Sequence, residues 1–310
     1  MRIVFMGTPG FAVPTLQRLA RHAGWTVSAV VCQPDRPVGR AQRLQAPAVK
    51  RAAEALGLKV YQPERLRGAA AEAWLAAEDP EVLAVVAYGQ LLPRAVFERP
   101  RWGAINAHAS LLPAYRGAAP IQWAIARGER ETGVTTMRIN AGLDTGDMLL
   151  QRAIPIPPDA TAPELSGRLA ELAAELMDET LAGLAAGAVV ARPQPAAGSL
   201  APRLTRADGQ IDWHWTAREI YDRWRGFQPW PGVQARFRGQ QLALLRCRAL
   251  PAEEGGAAPG VLQQRGGVLC AATRQGWLAL EEVRLEGRQA LAGMEFARGA
   301  RLAWGGERLD

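Results

Sequence analysis

Asn106 and His108 stand two residues apart in A-I-N-A-H-A-S-L-L-P-A-Y-R-G, residues 104–117, and Asp144 sits in the glycine-flanked turn G-L-D-T-G-D, residues 142–147. In an extended strand, residues i and i+2 share a face. A strand over 104–108 therefore sets a carboxamide and an imidazole side by side, where the chain gives way to a loop carrying Pro113. These three side-chain types make a working set for acyl transfer. The amide NH2 donates to an oxyanion, the imidazole moves protons, and the carboxylate orients the imidazole or relays its proton. A single N-x-H pair more often serves structure, so the weight rests on the longer strings around it. No metal is expected. His22 and His214 lie far off in sequence, and Cys32, Cys247 and Cys270 show no C-x-x-C spacing.

The elements that must position this set read as a doubly wound α/β domain. Residues 2–6, R-I-V-F-M, form a buried strand that closes on G-T-P-G. A helix follows with Phe11, Val13, Leu16 and Leu19 on its apolar face. The turn has G-x-x-G spacing rather than G-x-G-x-x-G, which argues against dinucleotide binding. Residues 25–31 are a second strand. The continuous apolar run at 82–87 belongs to a parallel sheet covered on both faces. Y-G-Q-L-L-P, residues 88–93, lies at its carboxyl end, where open α/β sheets bind ligands. Helices are expected at 48–56, 69–77 and 119–127, and a strand at 133–138. T-A-P-E, residues 161–164, is a capping box opening a helix whose Leu165, Leu169, Leu172 and Leu176 face a core.

Residues 189–205 hold Pro193, Pro195, Pro202 and Gly198 and read as a linker between domains at 1–188 and 206–310. Beyond it the period changes. Apolar runs at 232–237, 241–250, 260–264, 268–273 and 276–283 alternate with glycine turns, as in a small OB-type β-barrel. A short helix over 215–225 should lead into it. Trp213, Trp215, Trp224 and Trp230 are assigned to the barrel core. Nine arginines between Arg203 and Arg248 are assigned to phosphate contacts.

Composition sets the outer limits. The 310 residues carry a net charge of +7 with 48% hydrophobic content, enough for a sizeable core and a polyanionic partner. Lys50 and Lys59 are the only lysines, so the positive charge is almost all arginine, the better residue for phosphate. No apolar run reaches the ~18 residues of a membrane span. The first residues enter a strand pattern directly, without a signal-peptide core. Unpaired cysteines fit a reducing cytoplasm. The loop 33–47, with three prolines and Arg36, Arg40 and Arg43, is too long for a plain connector, since loops above about 12–15 residues are usually functional or disordered.

The full string N-x-H-x-S-L-L-P-x-Y-R-G-x-x-P, followed by G-L-D-T-G-D-M, resembles the 10-formyltetrahydrofolate-dependent formyltransferases. The resemblance implies that Asn106, His108 and Asp144 are the catalytic set. It also implies that 10-formyltetrahydrofolate is the formyl donor, held by Ser110, Leu111, Leu112 and Pro113 and by Gln90, Leu91 and Leu92. P-D-R-P-x-G-R in the 33–47 loop, I-D-W at 211–213 and F-Q-P-W-P-G at 227–232 are similar to the tRNA-directed branch. That branch implies initiator methionyl-tRNA as acceptor, with Arg40, Arg43 and Arg36 on its acceptor stem. A cytoplasmic monomer with no membrane partner is expected. Departures from the usual pattern are Gly10, the pair Ile139-Asn140 where M-D is common, and G-R-A-Q-R where G-R-G-K-K is common. An amino-sugar acceptor and a non-catalytic RNA-binding role are the rival readings.

Overall fold

The run R-I-V-F-M becomes part of the strand Arg2–Gly7, buried from Ile3 onward, with Val4 and Met6 packing against Leu66, Leu75 and Val96 on one face of the sheet. The computed structural model describes residues 1–39, 42–250 and 257–310. Arg2–Gly7 pairs in parallel with Thr26–Val31 on one side and Val82–Val86 on the other. Val60–Tyr61 extends one edge in parallel, and Ala104–His108 continues the other. Two antiparallel strands, Glu131–Arg138 and Met148–Pro155, complete the seven-stranded sheet. The expected helices form at Ala48–Ala55, Ala69–Glu78 and Pro120–Ala126. Thr161 caps Ala162–Ala185, its N–H and hydroxyl both donating to Glu164 Oε2 at 2.8 Å.

Register decides where the chemistry goes. Asn106 lies opposite Met137 and His108 opposite Thr135, so the antiparallel strand delivers Thr135 to the imidazole end of Ala104–His108. The connection between the two antiparallel strands leaves the sheet beside Ala104, whose carbonyl accepts the Ile139 N–H at 2.8 Å. It then carries Asp144 back toward His108. Within the 33–47 loop, Arg36–Val38 and Arg43–Gln45 pair as a short antiparallel hairpin, an element absent from the sequence reading.

The chain divides into two compact units. One comprises Met1–Pro120, Glu131–Pro155 and Leu165–Pro202, and the other Ile121–Arg130, Ile156–Glu164 and Arg203–Asp310. Residues 189–202, read from sequence as linker, thus belong to the first unit. In the second, a six-stranded antiparallel sheet runs in the order Val233–Phe237, Gln240–Leu250, Trp277–Leu285, Val268–Ala272, Leu262–Arg265, with Leu291–Ala292 pairing beside Trp277–Leu285. The last residues join its two edges, Leu309 bridging to Phe237 and Arg308 to Val261, which closes the sheet into a barrel. Helix Ala217–Gly226 opens with a Thr216/Glu219 capping box. Trp213 is buried, Trp215 lies under the Arg223 guanidinium at 4.0 Å, and Trp230 is exposed. Arg225 departs from the expected phosphate role. It is 1% exposed, bound to Asp222 at 2.6 Å and to the Ala160 carbonyl at 3.0 Å.

Candidate active site

His108 closes its strand almost fully buried, with Nε2 2.8 Å from the Tyr115 carbonyl oxygen. A carbonyl can only accept, so Nε2 carries the hydrogen and Nδ1 is the nitrogen left to exchange a proton. Nδ1 faces Asp144, 3.7 Å from Oδ2. That is beyond a hydrogen bond but within the reach of an ion pair. The same Oδ2 accepts the Gly117 N–H at 2.8 Å. Tyr115 and Gly117 therefore hold the two partners from one short turn. Asp144 itself adopts φ +51°, a left-handed conformation that aspartate tolerates better than most residues. Asn106, half-buried, points to the same face two residues before His108.

The loop after His108 is held from the neighbouring strands. The Thr135 hydroxyl donates to the Ser110 carbonyl at 2.7 Å and accepts the Leu112 N–H at 3.1 Å. Gln151 Nε2 donates to the Leu112 carbonyl at 3.0 Å and to Thr135 Oγ1 at 2.8 Å. The Ser110 hydroxyl is turned inward to the Ala114 carbonyl at 2.6 Å. Ser110 and Leu112 are thus buried framework, whereas Leu111 and Pro113 keep exposed surface. The Leu112–Pro113 peptide is cis.

Residues 192–201 run along the same turn from the other side. Leu200–Ala201 pairs in parallel with Arg116–Gly117. Ser199 Oγ accepts the Tyr115 N–H at 2.9 Å. A Cβ on Gly117, at φ +121°, would lie 2.6 Å from the Ala201 carbonyl, so the close approach requires glycine. Gln194 Nε2 donates to the Asp144 and Gly146 carbonyls at 2.8 and 2.7 Å. Its Oε1 accepts from Arg116 Nε and Nη2 at 3.0 and 2.8 Å. Thr135, Gln151, Gln194 and Ser199 carry no sequence signal of their own. Only the strand register and the path of the proline-rich segment bring them to the site.

The second group of expected residues lies at the carboxyl end of Val82–Val86. Tyr88 is buried, its carbonyl accepting from Thr8 Oγ1 at 2.8 Å. Gln90 bridges to the Glu64 carbonyl at 3.3 Å and the Leu66 N–H at 3.4 Å. Leu92 packs on the core, while Leu91 is 88% exposed. Leu143, beside Asp144, is also exposed. On the hairpin, Arg36 pairs with Glu64 at 3.3 Å and Arg43 is exposed; Arg40 lies outside the described residues. Among the described residues, no three His, Cys, Asp or Glu side chains converge on a metal-sized site.

The profile of the formyl transferase family matches residues 1–181, and that of the formyl transferase C-terminal domain matches 203–301. A methionyl-tRNA formyltransferase from Acidobacterium capsulatum is 51% identical over 306 residues, covering 98% of either chain. The chain belongs to the methionyl-tRNA formyltransferase family. Its fold is shared more widely. An N-formyltransferase from Helicobacter canadensis, solved with folinic acid and dTDP-3-aminofucose, superposes with TM-score 0.64 at 15% identity, covering 93% of this chain and 99% of that one. HypX from Aquifex aeolicus, solved with tetrahydrofolic acid, gives 0.61 at 19%, covering 98% of this chain and 48% of that one. Against the family's usual M-D, the structure accounts for Ile139 and Asn140. Ile139 packs on the sheet core, and Asn140 Oδ1 accepts the Gly142 N–H and the Thr145 hydroxyl, each at 3.0 Å. That turn asks only for an acceptor oxygen, which Asn and Asp both supply. Gly10 has open space around it, and nothing in the structure explains its choice.

Proposed function

We propose that this chain moves a formyl group from 10-formyltetrahydrofolate to the α-amine of initiator methionyl-tRNA, with Asn106, His108 and Asp144 as the reacting set. The observation that carries the reading is the single exchangeable nitrogen of His108, aimed at Asp144 beside Asn106. The folate supplies a formyl carbon, to which the neutral amine bonds as the bond to the folate nitrogen breaks. Asn106 donates to the formyl oxygen as it gains charge. His108 Nδ1 holds the proton released by the amine and passes it to the departing nitrogen. Asp144 offsets the charge on the ring in between. Protons and bonds then balance without a further reactant.

The donor set suits a pterin. Leu91 and Leu143 offer apolar faces, and Gln90, Leu92 and residues 110–113 border the same end of the sheet. For the tRNA we assign Arg36, Arg40 and Arg43 on the hairpin and the exposed Arg203, Arg206 and Arg236 of the second unit. The expected split into 1–188 and 206–310 is adjusted accordingly, with catalysis assigned to the unit that includes Leu165–Pro202 and tRNA binding to the unit that includes Arg203–Asp310. Among the described residues, no helix is long and apolar enough to cross a membrane. We place the protein in the cytoplasm as a monomer. The test incubates purified protein with formyl donor and a total charged-tRNA pool, with a nucleotide-linked amino sugar in parallel. Formylation confined to methionyl initiator tRNA supports the reading, and formylation of the sugar alone replaces it.

A further inference from the structure

We propose that Gln194 is a positioning residue for formyl transfer, holding the Asp144 turn in register with His108. The inference rests on the acyl-transfer reading above. All four hydrogen-bonding capacities of this one carboxamide are used. Its two N–H groups hold the Asp144 and Gly146 carbonyls at 2.8 and 2.7 Å. Its oxygen takes two bonds from the Arg116 guanidinium at 3.0 and 2.8 Å. Arg116 lies between Tyr115, whose carbonyl fixes His108 Nε2, and Gly117, whose N–H fixes Asp144 Oδ2. Gln194 therefore ties together the two turns whose separation sets the 3.7 Å between His108 Nδ1 and Asp144 Oδ2.

The Asp144 turn needs an outside anchor. Its central residue sits at φ +51°, and Gly146 packs so closely on the Arg138 carbonyl that no Cβ would fit. A backbone held in a sparsely populated conformation persists only when its surroundings over-determine it. The other anchors are the Asn140 side chain, which acts within the turn, the Gly117 N–H, which holds the carboxylate rather than the backbone, and the Arg138 N–H, which holds the Asp147 carbonyl at 2.9 Å where the turn rejoins the sheet. Gln194 is held in place in its own right. Arg116 Nη2 also donates to the Pro195 carbonyl at 3.0 Å, and the Arg192 N–H and carbonyl both pair with Met148 at 2.8 Å. A segment whose composition reads as a connector is thus a strap across the site.

The test compares Gln194→Leu and Gln194→Glu with the parent on formyl transfer to charged methionyl-tRNA. Leucine keeps the bulk and loses every bond. Glutamate keeps the Arg116 half and sets an oxygen against two carbonyls, so it retains the fold while opposing the Asp144 turn. Both should lower kcat by about 10- to 100-fold, the cost of a misplacement near 1 Å. KM for each substrate should stay within about threefold, and thermal melts should show the Gln194→Glu protein still folded at the assay temperature. In an Asp144→Ala background, Gln194→Glu should cost less than about twofold, because the partner it positions is gone. A Gln194→Glu enzyme with parental kcat overturns the proposal. So does a loss that multiplies in full with Asp144→Ala. A parent without activity on charged tRNA overturns the function proposed above instead, since the variants would then have no rate to compare.

Discussion

At the scale of single residues, His108 has one nitrogen committed to the Tyr115 carbonyl and one exposed to chemistry. Removing the ring by His108→Ala should lower kcat by about 10²–10⁴-fold, the usual range for a lost proton-transfer group. Asn106→Ala should cost about 10²–10³-fold, as expected for one oxyanion donor. Both should leave KM for tRNA near the parent value in steady-state assays, and near-parental turnover in either variant removes that residue from the reacting set. The cysteines behave in the opposite way. All three are buried and free, and burial pushes the Cys32 thiol up to about 11 and raises Cys247 and Cys270. Nucleophilic sulfur is the thiolate, so a colorimetric thiol reagent at pH 7.5 should find essentially none in the native protein. All three should react once guanidinium unfolds it.

At the scale of elements, the strap and the hairpin carry separate predictions. Gly117→Ala places a Cβ 2.6 Å from the Ala201 carbonyl at a backbone φ of +121°. It should separate Arg116–Gly117 from Leu200–Ala201, lower the melting temperature by several degrees and reduce kcat. An unchanged melt and rate would mean the strap pairing is dispensable. The hairpin Arg36–Val38/Arg43–Gln45 projects Arg43 into solvent with no acidic partner opposite it in the ladder. Arg43→Glu should raise KM for charged tRNA several-fold and flatten the salt dependence of tRNA binding by about one unit of log–log slope. KM for the formyl donor should not move. Equal tRNA kinetics would leave the hairpin a connector.

At the scale of the whole chain, the second unit draws Ile121–Arg130 and Ile156–Glu164 from the first half of the sequence. Trp123 from that segment meets Phe227 edge-on at 5.3 Å, and Ile125 is fully buried. A fragment ending at residue 202 would leave the Trp123 face that meets Phe227 in water. It should aggregate or melt well below the full chain in size-exclusion and calorimetric runs. Alkaline pH bears on stability as well. Burial raises Cys32 from 9.0 to about 11, Tyr88 to about 12 and Tyr221 to about 12. Each native group keeps its proton at a pH where the unfolded chain has lost it. The Cys32 contribution is therefore complete below pH 9 and falls as pH rises toward 11, and those of Tyr88 and Tyr221 fall between pH 10 and about 12. Cys32 alone accounts for about 2–3 kcal/mol of it. Urea melts at pH 8 and pH 10.5 should show this loss.

Sequence by itself determined what neighbours along the chain can decide. Period-two spacing put Asn106 and His108 on one face, and the capping box at Thr161 opened the long helix where the pattern placed it. Five apolar runs became five barrel strands within a residue or two of their expected limits. Each of these depends on backbone geometry and side chains a few positions apart. Tertiary structure decided which nitrogen of His108 is free, because the Tyr115 carbonyl is brought round by a turn. It made Arg225, one arginine among nine in its stretch of sequence, a buried anchor for the Ala160 carbonyl. It turned a proline-rich run into the strap that places Gln194 on the Asp144 turn, and closed the barrel with Arg308 and Leu309. Such contacts join segments tens of residues apart. Their partners are chosen by the path of the whole chain, and no local period records that choice.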